Sequence, residues 1–319
     1  MSDRVRSIPT DALRAIFSRE VMAQLAAQPQ SERLAERLRI LNASRPLPSD
    51  RNSVRRVKWL LAHRVAWDAY VEGAFHCGLF DGKHGEDLRA RLADHNQENF
   101  RAALAECEAA WFLACHLQLS VSARPAGRAS RPLDLLVALP GGDVNVEVKS
   151  PFREPQLGGG WVDDSDILER CLADASKQFD EGRRNLLLLV GRLTLPIEDH
   201  RRFFSKAFYA DQHIAIRFDS DTGEQIGHPN MQYTPNGKFL KQWGKEGTRH
   251  KRVSGVLFVQ ETFRVFESMG GEWKFFADHD ALMMHNPHAA LPLPEEPWGH
   301  YPQFVRRGDE LLWTDGHEV

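Results

Sequence analysis

Residues 131–150 read RPLDLLVALPGGDVNVEVKS, and the fold is decided by how this stretch is folded. Residues 133–139 are an apolar run of strand length, interrupted by Pro140, Gly141 and Gly142, with Asp143 following. Such punctuation between two apolar runs is the composition of a hairpin loop. Residues 144–149 then alternate: Val144, Val146 and Val148 fall on one face, and Asn145, Glu147 and Lys149 on the other. Strand side chains repeat with a period of two, so the valines face a core and a carboxylate and an ammonium share the opposite face. Asp134 opens the first strand. In a hairpin of this length it lies beside Glu147 and Lys149, so two acids and a lysine converge at one end of a small sheet. That is a seat for a divalent metal with a lysine next to it.

Working outward, residues 96–117 carry a helical pattern with Phe100, Leu104, Cys107, Trp111 and Cys115 on one side. Glu106 and Glu108 lie within it. A strand is expected over 117–123, then a loop over 124–131 rich in small residues and arginine. After Lys149, Ser150-Pro151-Phe152 stops the strand, and Gln156-Leu157-Gly158-Gly159-Gly160-Trp161 forms a loop. Two readings of that loop stay open, a cover over a substrate or a plain connector. It is not a phosphate-binding P-loop, because no Gly-Lys-Ser/Thr follows. Residues 166–182 form a helix whose buried face is Ile167, Leu168, Cys171, Leu172, Ala175 and Phe179, and 185–190 form a strand. A strand–helix–strand unit of this length implies a right-handed parallel crossover.

The order helix, strand, strand, strand, helix, strand, with an acid at a strand start and Glu147-Val148-Lys149 on the next strand, resembles the PD-(D/E)XK nuclease superfamily. Pro132 stands two residues ahead of Asp134 rather than adjacent. The resemblance covers about residues 98–192. It implies an α/β protein with a restriction-endonuclease-like core, a mixed central sheet flanked by helices. It further implies a Mg²⁺-dependent phosphodiester hydrolase, with Mn²⁺ as a substitute. Asp134, Glu147 and the Val148 carbonyl would hold the ion, and Glu108, with Glu106 as the alternative, would supply the helix acid. Lys149 would orient the attacking water and offset phosphate charge, and Gln178 or Lys177 would approach from the crossover helix. DNA is the favoured substrate, restriction or phage defence the first expected role and repair or recombination the second. A homodimer and a partner protein supplying specificity are weaker implications of the same resemblance.

Other readings stay open beside it. Glu106 and Glu108 could be solvated helix glutamates. Glu147 and Lys149 could be a solvated ion pair on an exposed face. The chain could be a silent nucleic-acid-binding or partner-binding module on the same fold. A serine hydrolase is not supported, since no G-x-S-x-G occurs.

Composition limits the class. The chain has 319 residues, 42% hydrophobic and 27% charged, with formal net charge −3. That describes a globular protein with ample core. The four cysteines (Cys77, Cys107, Cys115, Cys171) show no C-x-x-C pairing and are expected to pack as small hydrophobes. No signal-peptide core or membrane-length apolar run is present, so a cytoplasmic protein without membrane attachment is expected.

Residues 1–92 read as a helical region and 93–319 as the nuclease core. Two helices are expected over 10–41, the second capped by Ser31, then a connector over 44–50 and a long helix from Val54 that ends near Gly78. The first sixty residues hold twelve cations, Arg37 among them, against six acids. They suit a polyanion or a solvated surface equally. A basic insertion at about 219–252 interleaves Tyr233, Phe239 and Trp243 with Lys238, Lys241, Lys245, Arg249, His250, Lys251 and Arg252. It reads either as a nucleic-acid contact or as a surface hairpin. Two strands (253–260 and 263–266) extend the sheet, and His285 and His288 precede a proline-rich tail as structural residues.

Overall fold

In a computed structural model of the chain, the described residues are 11–29, 31–43, 51–123, 133–151, 165–191, 197–209, 211–220, 222–234, 239, 250–267, 273–307 and 310–314. The protein is α/β. Helices α1 (Asp11–Ile16), α2 (Arg19–Ala27), α3 (Glu32–Leu41), α4 (Arg51–His76), α5 (Gly82–Ala93) and α6 (Gln97–Trp111) come first. Then follow β1 (Ser120–Ala123), β2 (Leu135–Ala138), β3 (Val144–Lys149), α7 (Ser165–Gln178), β4 (Arg184–Val190), α8 (Ile197–Phe208), β5 (Asp211–Phe218) and β6 (Gln225–Thr234). The chain ends with β7 (Gly255–Glu267), β8 (Trp273–His285), β9 (Gln303–Arg307) and β10 (Glu310–Thr314). Eight strands make one sheet in the order β1-β2-β3-β4-β7-β8-β9-β10, and β5-β6 form a separate pair. The large sheet is mixed: β1/β2, β2/β3 and β9/β10 are antiparallel, and β8/β9 is parallel.

Two compact units divide the chain. One is Met1–Ser150, Leu188–Gly191 and Phe258–Ala281; the other is Pro151–Leu187, Arg192–Leu257 and Leu282–Val319. The helical region and the β2–β3 hairpin therefore share a unit.

In the first unit, three helices rather than two occupy 11–41. Ser18 starts the additional one by accepting from the Val21 amide at 3.3 Å, and Ser31 caps α3 by accepting from Leu34 at 3.1 Å. Each cap satisfies an amide that the first helical turn leaves without an intrahelical partner. Arg37 is neither a polyanion contact nor solvated. It is 1% exposed, and its guanidinium donates to the carbonyls of Leu92 (2.9 Å) and Asp94 (2.5 Å) at the end of α5. It also lies 4.0 Å from the Phe100 ring centroid. Burial lowers its pKa to about 10. It joins α3 to α5 and α6. Where α4 meets α6, a Cβ on Gly73 would come 2.8 Å from the Trp111 Cβ, so only glycine permits this approach.

Helix α6 begins at Asn96, whose Oδ1 accepts from Glu98 (2.8 Å) and Asn99 (3.3 Å). It ends in a π-helical turn, Phe112–His116, so β1 starts at Ser120 and not at Leu117. Cys77 and Cys107 are buried as small hydrophobes, but Cys115, in the π turn, is exposed. The β2–β3 turn runs Leu139–Gly142: Gly142 donates to the Leu139 carbonyl at 3.1 Å, and Gly141 has φ +84°. Proline then glycine at these two positions is the type II pattern, and glycine meets the positive φ without strain.

In the second unit, Phe239 is fully buried, stacked on Phe208 at 5.2 Å and edge-on to Tyr209 at 5.6 Å. It is a core residue, not a platform for nucleobases. The Tyr233 side chain, Trp243 and the basic residues 238–249 lie outside the described residues, as does the 156–161 loop. The tail contains β9 and β10, and His285 holds it structurally: its Nε2 is 2.8 Å from Gln303 Oε1.

Candidate active site at the end of the β2–β3 hairpin

The register decides what meets here. Leu135 pairs with Val146, Leu136 with Asn145 and Val137 with Val144. One step further sets Asp134 opposite Glu147. The Asp134 amide donates to the Val146 carbonyl at 3.2 Å, and its Oδ2 accepts from the Val148 amide at 2.8 Å. The carboxylate is thus fixed to the backbone of the neighbouring strand. Lys149 Nζ donates to Glu147 Oε1 at 2.6 Å. Both faces of β3 are buried from Val144 to Val148, and α6 packs against the strand. Asp134 is 8% exposed, Glu147 3% and Asn145 2%. The Lys149 side chain is 31% exposed. The ion pair exists, but its acid is buried, which rules out the solvated-face reading.

Helix α6 supplies a third carboxylate. Glu106 and Glu108 are 6% and 8% exposed, so neither is a solvated helix glutamate. They go to different places. Asp134 is held well above the usual carboxylate range, first by burial, then by the charge of Glu106 and then by that of Glu147. The Val148 hydrogen bond and the Lys149 charge work in the opposite direction. Glu106 is therefore the α6 acid whose charge acts on Asp134. Its two oxygens accept from one guanidinium, Arg91 Nη1 to Oε1 at 2.7 Å and Nη2 to Oε2 at 3.0 Å. Glu108 instead lies 3.1 Å from His279 Nε2 through Oε1. The same His279 nitrogen is 3.2 Å from the Tyr70 hydroxyl, and that hydroxyl donates to Glu261 Oε1. His279 and Tyr70 are enclosed by Trp111 and Phe112.

Of the residues expected at the site, the structure brings together Asp134, Glu147 and Lys149. Glu108 belongs to the His279 network. Gln178 is the last residue of α7, and Lys177 pairs with Asp174 at 2.9 Å on exposed surface. Sequence reasoning missed Arg91, Tyr70, Glu261 and His279. No local spacing rule joins Arg91 to an acid fifteen positions on. The one available signal for His279 was its place between Asp278 and Asp280 on an unread strand.

Among the described residues, no group of three or more His, Cys, Asp or Glu is arranged to hold a metal ion. The donor chemistry nevertheless fits Mg²⁺. This ion takes hard oxygens, keeps several waters and is commonly held by one or two carboxylates. Asp134, Glu147 and the Val148 carbonyl are such a set, and buried carboxylates of like charge gain from a cation between them. Among the described residues, no helix is long and apolar enough to cross a membrane. Protein-family models, curated proteins and solved structures give no match to this chain.

Proposed function

We propose that the chain is a Mg²⁺-dependent nuclease of restriction-endonuclease-like fold that hydrolyses phosphodiester bonds, with DNA as its substrate. One observation carries the reading: Asp134, buried and opposite Glu147, keeps its carboxylate among other acids at the mouth of Lys149. Stability alone gives no reason to bury like charges together, whereas metal-assisted hydrolysis uses them. Asp134, Glu147 and the Val148 carbonyl would hold Mg²⁺, or Mn²⁺ in its place. The bound ion supplies charge neutralisation on the phosphate and a more acidic water. The Val148 amide fixes the Asp134 carboxylate, so that group needs no reorganisation during the reaction. Lys149, partly exposed beside the acids, orients the attacking water and offsets charge on the phosphate. Glu106, held by Arg91, adds negative potential at Asp134.

The test is cleavage of supercoiled plasmid, linear duplex, single-stranded DNA and RNA with Mg²⁺, Mn²⁺ or EDTA. Wild type should cut a DNA substrate only with metal, and Lys149→Ala should lose at least about a hundredfold in rate. Equal cutting by Lys149→Ala would refute the assignment. A second reading, a silent binding module on the same fold, is favoured by the lack of a ready-made three-ligand metal group among the described residues. It predicts DNA retention without cutting and no metal-induced rise in Tm.

A further inference from the structure

The two acids at the end of the hairpin are each held through one oxygen, and the two holders differ in kind. Asp134 Oδ2 accepts from the Val148 amide at 2.8 Å, a backbone donor fixed in β3. Glu147 Oε1 accepts from Lys149 Nζ at 2.6 Å, a donor at the end of a flexible four-carbon stem. Glu147 and Lys149 are two apart on β3, so both project from the same face of the strand. Their side chains are 4% and 31% exposed, so the ammonium sits at the solvent edge and reaches inward to a covered acid. The ammonium can swing out to solvent while β3 keeps its place, and the amide cannot. A divalent ion on Glu147 would face that ammonium across one carboxylate. Two like charges in a covered site repel strongly, because solvent and salt screen them poorly.

Resting on the metal-dependent reading above, we propose that Lys149 is a lock on Glu147 that an entering divalent ion releases. Without metal, its ammonium occupies Glu147 Oε1 and balances the charge of that acid. When Glu147 turns to the ion, the ammonium swings toward solvent, where the phosphate arrives. The site therefore loads in order, metal before phosphate, and Lys149 is not delivered to the phosphate until the ion is seated. Metal and lysine compete for one carboxylate, so each weakens the hold of the other by the same factor.

The experiment reads Mn²⁺ affinity and lysine accessibility on the full chain, with metal-dependent DNA cleavage by the wild type measured alongside. Affinity comes from free Mn²⁺ followed by electron paramagnetic resonance. Accessibility comes from pulse acetylation with acetic anhydride and mass spectrometry, with the exposed Lys177 as internal reference. Lys149→Met should bind Mn²⁺ more tightly than wild type by about tenfold or more. In the wild type, saturating Mn²⁺ should raise the acetylation rate of Lys149 relative to Lys177 by about threefold or more. Equal or weaker Mn²⁺ binding by Lys149→Met overturns the proposal. So does a Lys149 acetylation rate that Mn²⁺ leaves unchanged, because the ammonium then stays on Glu147 in the loaded site. The acetylation is read on the wild type, so it decides independently of how the variant folds. In either failure the nuclease reading stands if the wild type cuts DNA with metal. A wild type that neither binds Mn²⁺ nor cuts overturns both.

Discussion

Helix α6 carries two buried glutamates two residues apart, and their surroundings differ in a way that separates chemistry from architecture. Glu108 sits in a closed network with His279, Tyr70 and Glu261, enclosed by aromatic rings. His279 Nε2 lies within hydrogen-bonding distance of Glu108 and Tyr70, and the side chain is 0% exposed, so no substrate reaches it. On the Glu106 side, the charges of Glu106 and Glu147 add to burial in holding the Asp134 carboxyl above its usual range, and a partly exposed lysine stands at the edge. One side is sealed around His279, while the other is strained by like charge and reaches solvent at Lys149. Sealed networks specify a core, and strained ones are retained where a ligand relieves the strain.

The contrast gives an order of tests. The largest effect belongs to Lys149→Ala, with loss of metal-dependent cleavage by roughly two to four orders of magnitude and little change in Tm. Steady-state cutting rates and a melt on one preparation check both halves. Next comes the sealed side. Glu108→Ala leaves His279 without its carboxylate and should cost about 3–5 kcal/mol of stability, the usual cost of breaking a buried pair. Cleavage per folded molecule should stay within about threefold of wild type, read by urea denaturation and an active-site-normalised rate. A Glu108 variant that folds normally but does not cut would erase the distinction drawn here.

Asp134→Asn sharpens it from the other direction. The amide oxygen can still accept from Val148 while the repelling charge is gone, so the protein should gain on the order of 1 kcal/mol at neutral pH and lose activity. Because Asp134 binds its proton more tightly folded than unfolded, its ionisation disfavours the fold as pH rises through the raised folded value. The advantage of the Asn variant should therefore be absent below the ordinary aspartate range and grow as pH rises above it. Melts at several pH values read this out. The smallest effect is expected at Lys177, which pairs with Asp174 on exposed surface. Lys177→Ala should shift stability by less than about 0.5 kcal/mol, checked by the same melts.

Much of the hairpin could be read from sequence because its signals are local. Alternation over 144–149, proline and glycine at the turn and an acid at the strand start are all set within twenty residues. Ser31 as a cap is local in the same way. The α6 acids were not legible to that degree. Residues two apart on a helix point in widely different directions, and buried Ala103, Ala105, Cys107, Ala109 and Ala110 surround the helix, leaving no polar face to separate inside from outside. Which glutamate meets Asp134 depends on where α5 and α6 lie, and that depends on contacts such as Arg37 and Gly73 far away in sequence. Phe239 misled for a related reason. Lysines flank it in sequence, but its neighbours in space are Phe208 and Tyr209. Strand β8 went unread because it buries His279 between Asp278 and Asp280, which reverses the apolar-inside alternation on which a strand reading relies.

The most direct test of the account is plasmid nicking by wild type and Asp134→Asn at equal folded concentration across a Mg²⁺ titration. The account predicts cutting that rises with Mg²⁺, stops with EDTA and is absent in a variant that melts at or above the wild-type temperature. Cutting by Asp134→Asn at the wild-type rate, or wild-type cutting that is indifferent to EDTA, would contradict it.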